Sequence, residues 1–229
     1  MNSRSIFNRI FPPACLLCGE PTGRSPCPAC EADLPWHRAP QCPVCAIPAP
    51  DNQVCGRCLR HPPAFDRTVA ALIYRFPLDR LIPRLKYRSQ LAIAPLLGDC
   101  LLQTLAAAPR PDCLIPMPLH PARLRERGFN HASEIARRVS HQLGVPLALD
   151  LCQRVRDTPP QMSLKGDERR RNLRKAFSCV GDVRNRHIAL LDDVMTTGTS
   201  LDELATTLKR AGAREVSCWV VARALPGAS

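Results

Sequence analysis

Four C-x-x-C pairs follow one another near the start of the chain: Cys15/Cys18, Cys27/Cys30, Cys42/Cys45 and Cys55/Cys58. A C-x-x-C turn aims two thiolates at one point, so two such turns complete a tetrahedral four-cysteine zinc site and eight cysteines fill two. Residues 15–63 are crowded with Cys and Pro and lack apolar periodicity, so they cannot bury a core without cross-links or metal. Thirteen cysteines in an exported chain would suggest disulfides. The first 14 residues, however, carry Arg4 and Arg9 and no apolar run of signal-peptide length, which points to a cytoplasmic protein whose paired cysteines bind metal. A redox dithiol is normally a single C-x-x-C beside a βαβ pattern, and the fourfold repetition argues against one. Sequential pairing joins Cys15, Cys18, Cys27 and Cys30 in one site and Cys42, Cys45, Cys55 and Cys58 in the other; interleaved pairing also satisfies the spacing. Four thiolates leave no open position, so the expected two Zn2+ ions are structural.

From about residue 67 the composition changes, and two units are expected, a zinc-binding module over 1–63 and an α/β domain over 64–229. Thr68–Tyr74 reads as a strand, 91–107 as a Leu/Ala-rich helix, and Cys113–Pro118 as a short buried strand. Ala132, Ile135, Ala136, Val139 and Leu143 form one stripe of an amphipathic helix that stops near Gly144. His187–Leu191 is too short an apolar run for a helix, Leu201 to Ala211 recur at helical spacing, and Glu215–Val221 supplies another strand. Strands alternating with helices call for a mainly parallel sheet flanked by helices on both faces, with ligands at the carboxyl ends of its strands. Cys100, Cys113, Cys152, Cys179 and Cys218 lie in apolar settings and read as core residues. Nowhere do about 18 uncharged apolar residues run together, so no membrane insertion is expected.

The most informative segment is 190–200, Leu-Leu-Asp-Asp-Val-Met-Thr-Thr-Gly-Thr-Ser. An apolar strand delivers two carboxylates and then a hydroxyl-rich turn that opens a helix. Unpaired N–H groups and a partial positive charge at that helix start favour a phosphate. Gly198 lets the backbone approach it, and Thr196, Thr197, Thr199 and Ser200 add hydroxyl donors. Asp192 and Asp193 suit sugar hydroxyls or a bound cation rather than the phosphate. The bland alternative is a capped helix after a strand, with solvated aspartates.

The net charge of +12 comes almost wholly from arginine, the only lysines being Lys86, Lys165, Lys175 and Lys209. Guanidinium is a flat fork of donors suited to phosphate. Two basic blocks stand out: Arg123, Arg125 and Arg127 in a loop before the Gly128-Phe129-Asn130 turn, and Arg154, Arg156, Gln161 and Arg169–Arg174 before Ala176-Phe177. By composition alone both are solvated charged faces.

The strand, acid pair and T-T-G-T-S turn resemble the phosphoribosyl pyrophosphate (PRPP) motif of type I phosphoribosyltransferases. Together with Leu85-Lys86-Tyr87, P-M-P-L-H-P, R-x-R-G-F-N, R-x-R-x-T-x-x-Q and R-x-x-N-x-x-x-A-F, they resemble the ComF family of competence-associated and GntX-like proteins. With the double zinc ribbon such proteins often carry, the resemblance covers almost the whole chain. It implies a type I phosphoribosyltransferase-like domain binding PRPP with Mg2+, a transferase whose acceptor displaces pyrophosphate from C1 of the ribose. Asp192 and Asp193 would then contact the ribose hydroxyls, and Thr196, Thr197, Gly198, Thr199 and Ser200 would cradle the 5-phosphate. Arg127, Asn130, Arg156, Gln161 and Arg170 would serve the substrate or pyrophosphate region, with Arg127 alongside the two aspartates in the catalytic group and Lys86 a further candidate. No base-recognising hood is visible, so the acceptor is open. A different class of function fits the arginine excess, the ribbons and the same resemblance: a non-catalytic single-stranded DNA-binding or regulatory module that meets the competence machinery in DNA uptake.

Overall fold

The computed structural model describes residues 14–157 and 175–227. Two one-turn helices, α1 (Pro28–Ala32) and α2 (Gly56–Arg60), each follow a C-x-x-C cysteine in the N-terminal part. Then come β1 (Arg67–Ile73), α3 (Leu78–Arg88), α4 (Ile93–Leu105), β2 (Cys113–Pro116), α5 (Pro121–Arg127), α6 (His131–Leu143), β3 (Cys152–Arg154), β4 (Phe177–Cys179), β5 (His187–Met195), α7 (Thr199–Arg210) and β6 (Glu215–Arg223).

Strands β1, β6, β5 and β2 form a parallel sheet in that order, as the strand–helix alternation predicts. The two central strands carry the apolar runs Ile188–Leu191 and Cys218–Ala222, because both of their faces are covered there. Helices α4 and α6 pack together and against β1, β2, β5 and β6, while α7 lies against β4, β5 and β6. β3 and β4 make a separate antiparallel pair.

Both sheet edges are protected from further pairing. At β2, Leu114 N donates to Pro146 O and Ala148 N to Leu114 O. At β1 the cover comes from the cysteine module: His37 N donates to Ala71 O, Ile73 N to Pro35 O and Thr68 N to Pro43 O. Leu34 and Ala46 of that module belong to the same buried cluster as Leu72, Leu97 and Trp219. The module therefore borrows the core that its own sequence cannot supply.

Three local outcomes differ from the sequence expectations. The basic loop of Arg123, Arg125 and Arg127 is helix α5, because Pro121 suits a first helical turn, His120 Nδ1 accepts from Ala122 N, and Gly128 (φ 80°) closes the end. β5 runs four residues past its apolar part, to Met195. Helix α3, with Pro83 inside it, has no counterpart among the expected elements. Among the described residues no helix is long and apolar enough to cross a membrane.

Candidate functional site

Cys15, Cys18, Cys27 and Cys30 form one cluster and Cys42, Cys45, Cys55 and Cys58 a second, each with ligand atoms within 4.8 Å of one another. The pairing is thus sequential. Cys18 Sγ lies 3.8 Å from Cys27 Sγ and Cys45 Sγ 3.7 Å from Cys55 Sγ. Those spacings match the edge of a zinc tetrahedron, about 3.8 Å for a Zn–S bond of about 2.3 Å. Backbone N–H groups point at the sulfurs: Cys27 N at Cys15 Sγ (3.4 Å) and Cys55 N at Cys42 Sγ (3.4 Å). Burial opposes a thiolate at Cys15, yet N–H groups of Cys18, Cys27 and Leu17 outweigh it and bring its pKa down to about 6. The same contest at Cys42, won by N–H groups of Cys55, Cys45 and Val44, gives about 7. Donors to sulfur stabilise the form that binds metal. The two clusters fit a double zinc ribbon holding two zinc ions.

The second centre lies where β5 meets α7. Gly198 is the N-cap of α7 with φ 79°, a left-handed conformation that a side chain would strain, and among the described residues no side chain caps the helix. Thr197 Oγ1 reaches Thr199 Oγ1 at 2.7 Å, and Thr199 N only at 3.4 Å. The first-turn N–H groups therefore keep their capacity for an anion. They face a hollow of about 260 Å³ walled by Asp192, Val194 and residues 195–201.

The two aspartates have different surroundings, although a carboxylate oxygen of each lies within 4.8 Å of one from the other. Asp192 lines the hollow and its Oδ1 accepts from Asp193 N at 2.9 Å. Asp193 is buried, with Lys86 Nζ 2.5 Å from Oδ2 in an ion pair and His131 Nε2 3.5 Å from Oδ1. Arg127 Nη1 donates to His131 Nδ1 at 2.8 Å and its guanidinium lies 5.2 Å from the centre of the Tyr87 ring. Since arginine only donates, Nδ1 is the acceptor and the ring proton sits on Nε2, facing Asp193.

Burial raises the pKa of Asp192, with the neighbouring charge of Asp193 adding to it, so its carboxylate is poorly stabilised in the free protein. At Asp193 burial pulls the same way, but Lys86 and His131 overturn it and hold the group well below the usual carboxylate range. Burial likewise opposes the charge on Lys86, and Asp193 and Asp192 together raise its pKa. His131 is pushed down by burial despite Asp193, and stays neutral.

A second hollow, about 550 Å³, is lined by Lys86, Tyr87, Ser89, Arg123, Glu126 and Arg127. Asn130 is occupied by structure: its Oδ1 caps α6 through Ala132 N and its Nδ2 donates to Met117 O. Arg156 is exposed just beyond β3. Gln161 and Arg170 lie outside the described residues. His131 belongs to no motif of its own; as a histidine directly after the R-G-F-N turn, at the first position of an amphipathic helix, it is buried beside β5.

A parallel sheet ending in a paired-acid strand and an uncapped Thr/Gly helix start, joined to two four-cysteine clusters, defines a phosphoribosyltransferase-type α/β domain with a double zinc ribbon. The sequence matches a family model for a double zinc ribbon domain over residues 6–59 and one for a phosphoribosyl transferase domain over 126–228. It is 36% identical over 223 residues to the DNA utilization protein YhgH of Salmonella typhi, covering 93% of this chain and 98% of that one. It is 35% identical over 181 residues to competence protein F of Haemophilus influenzae, covering 75% and 79%. The chain belongs to the ComF family. A solved glutamine phosphoribosylpyrophosphate amidotransferase from B. subtilis, complexed with ADP and GMP, overlaps 56% of this chain and 26% of its own with 22% identity and a TM-score of 0.40.

Proposed function

We propose that the chain binds PRPP with Mg2+ and acts as a phosphoribosyltransferase whose acceptor is undefined, in the handling of DNA taken up by the cell. The observation that carries this reading is the uncapped start of α7 over a hollow with Asp192 on its wall. The 5-phosphate sits on the N–H groups and hydroxyls of residues 196–200, and Asp192 accepts from the ribose hydroxyls. Asp193 acts by holding Lys86 at the hollow that also contains Arg127 and Arg123, where departing pyrophosphate needs positive charge. Asp192 and Asp193 are the oxygen donors that suit Mg2+; their ligand atoms and one from His131 lie within 4.8 Å of one another. Arg156, with Gln161 and Arg170 outside the described residues, completes the set of candidates for the pyrophosphate region. The link to DNA rests on the relatives' names, DNA utilization protein and competence protein F.

One observation favours the non-catalytic reading beside it. Phe76 and Tyr87 are each 73% exposed, and Arg127 stacks on Tyr87. Exposed rings interleaved with arginine suit unstacked bases.

One calorimetric series tests both. Titration with PRPP and Mg2+ is expected to give heat of binding with the wild type and at least a hundredfold weaker binding with Asp192→Asn plus Asp193→Asn. That factor corresponds to about 2.7 kcal/mol. A parallel titration with a single-stranded oligonucleotide is expected to give binding that collapses between about 50 and 200 mM salt. Absence of PRPP binding in the wild type defeats the transferase reading. DNA binding without PRPP binding leaves the second reading standing alone.

A further inference from the structure

The loop between β5 and α7 is held from behind, on its carbonyl side, by the second zinc ribbon. Arg57, on α2 between the zinc-ligand positions Cys55 and Cys58, is exposed and donates from Nη2 to Thr197 O at 3.0 Å. Arg223 is buried at the end of β6; its Nη1 donates to Met195 O (2.8 Å), Thr196 O (2.6 Å) and Ala224 O (2.5 Å), and its Nε to Cys45 O (2.7 Å). One guanidinium thus ties a zinc knuckle to the two residues that lead into the loop. Just past the ribbon, Ala64 N donates to Asp202 Oδ1 at 2.7 Å, in the first turn of α7. The consecutive carbonyls of residues 195, 196 and 197 therefore all accept from arginines on the side of the ribbon.

In a planar trans peptide the C=O and the N–H of the next residue point in opposite directions. The cis bonds among the described residues are Ser25–Pro26 and Phe76–Pro77, so the loop peptides are trans. Three carbonyls held from behind thus turn the N–H groups of Thr196, Thr197 and Gly198 away from the ribbon. None of those N–H groups has a hydrogen-bond partner among the described residues. All three residues also wall the hollow that Asp192 lines, to which no described ribbon residue contributes. Arg57 holds the peptide that most needs it, because glycine at position 198 lets the Thr197–Gly198 plane flip at little steric cost. A cationic donor on the carbonyl also polarises the peptide and strengthens the N–H at its other end, by roughly 10–30% per bond.

We propose that the second zinc ribbon acts on the phosphate site without touching the ligand: Arg57 is a positioning residue whose bond to Thr197 O makes the loop present its N–H groups, so zinc in this ribbon and anion at the loop favour one another. This coupling rests on the reading of the loop as a phosphate cradle. It is reciprocal, because a factor by which the ordered ribbon strengthens ligand binding is the factor by which ligand strengthens zinc binding. The first ribbon makes no such contact with the loop among the described residues, and its zinc is indifferent to the ligand.

The test uses the full zinc-loaded chain as wild type, Arg57→Ala, Arg57→Lys and, as a control on the same helix, Arg60→Ala. Ribose 5-phosphate is titrated calorimetrically, and zinc is partitioned at equilibrium against a chromogenic chelator with and without saturating ribose 5-phosphate. In the wild type the ligand is expected to tighten one of the two zinc equivalents by about five- to tenfold, the lower part of the range for coupled sites, and to leave the other unchanged. Arg57→Ala should keep both equivalents, bind ligand weaker by that same factor and show no tightening of either zinc. Arg57→Lys should restore both effects in part, since one carbonyl needs one donor, and Arg60→Ala should match wild type. An Arg57→Ala protein that binds ligand and tightens zinc as the wild type does overturns the assignment and leaves the loop reading intact. So does one that has lost zinc before any ligand is added, because its defect then lies in the ribbon's own fold. A wild type that binds ligand while neither zinc responds, or both respond alike, overturns the coupling. A wild type that does not bind ribose 5-phosphate overturns the loop reading and this inference together.

Discussion

Replacing Cys58 by serine is expected to halve the zinc content, from two equivalents to one, and to destabilise the chain by on the order of 5 kcal/mol. The reason is that residues 40–60 place only Ala46 in the main buried core. Cys42, Cys45, Ala49 and Cys58 make up a separate small buried cluster, with only Val44, Ile47 and Cys55 packed against it. Loss of the metal removes the force that gathers those residues. The damage spreads, because the segment beside Cys42 and Cys45 covers the edge of β1 and because Arg223 would lose its bond to Cys45 O while staying buried. An unsatisfied buried guanidinium is among the costlier defects a fold can carry. Zinc counted with a metallochromic indicator, together with a thermal melt, measures both effects. Cys30→Ser should also lose one equivalent but disturb the phosphate loop less, since Arg57 and Arg223 both engage the second ribbon. Retention of two equivalents with an unchanged melt in Cys58→Ser would remove the structural role given to that metal.

Lys86→Met is the second large effect. Lys86 pairs with a carboxylate that is almost wholly out of water, the Asp193 side chain being 3% exposed against 22% for Lys86. Breaking such a pair from one side leaves an uncompensated charge and costs about 3–5 kcal/mol, here at the lower end because Lys86 keeps some solvent contact. The sign with pH follows from Asp193. In the wild type its folded pKa lies below the unfolded value of about 3.9, so its contribution is present above that pH and is lost in stronger acid. In Lys86→Met burial is opposed only by His131, and the folded pKa rises above the unfolded one. The deficit should therefore be greatest near neutrality and shrink as acid protonates Asp193. Urea melts across that range read the trend, and adding Asp193→Asn should recover part of the loss. A deficit that grows toward acid would show that the pair is not what stabilises this corner.

The metal clusters were legible in the sequence because C-x-x-C spacing is local: it fixes two ligands per turn whatever the rest of the chain does. Only the pairing needed coordinates, since sequential and interleaved sets use the same turns. The phosphate loop was legible for the same reason, an apolar strand, Gly198 and a helix within eleven residues. What escaped depended on residues far apart in sequence. Arg57 and Arg223 carry no motif, and their meeting at the loop follows from β1, β6 and β5 lying side by side. Arg223 did leave a trace, as a charge ending the apolar run Val216–Ala222 at the carboxyl edge of a parallel sheet, where ligands gather. The differing surroundings of Asp192 and Asp193 depend on β5 extending to Met195. An apolar run ending at Leu191 hid that extension, because strands at a site carry polar residues where propensity would place apolar ones.

Whether a sugar phosphate occupies the start of α7 is decided most directly by its position in a crystal of the full chain soaked with ribose 5-phosphate and Mg2+. The expected result is a phosphorus peak within hydrogen-bonding reach of the backbone N–H groups of residues 197–200, with the ribose hydroxyls on Asp192. A ligand bound elsewhere, with that helix start left bare and Asp192 untouched, would contradict the account.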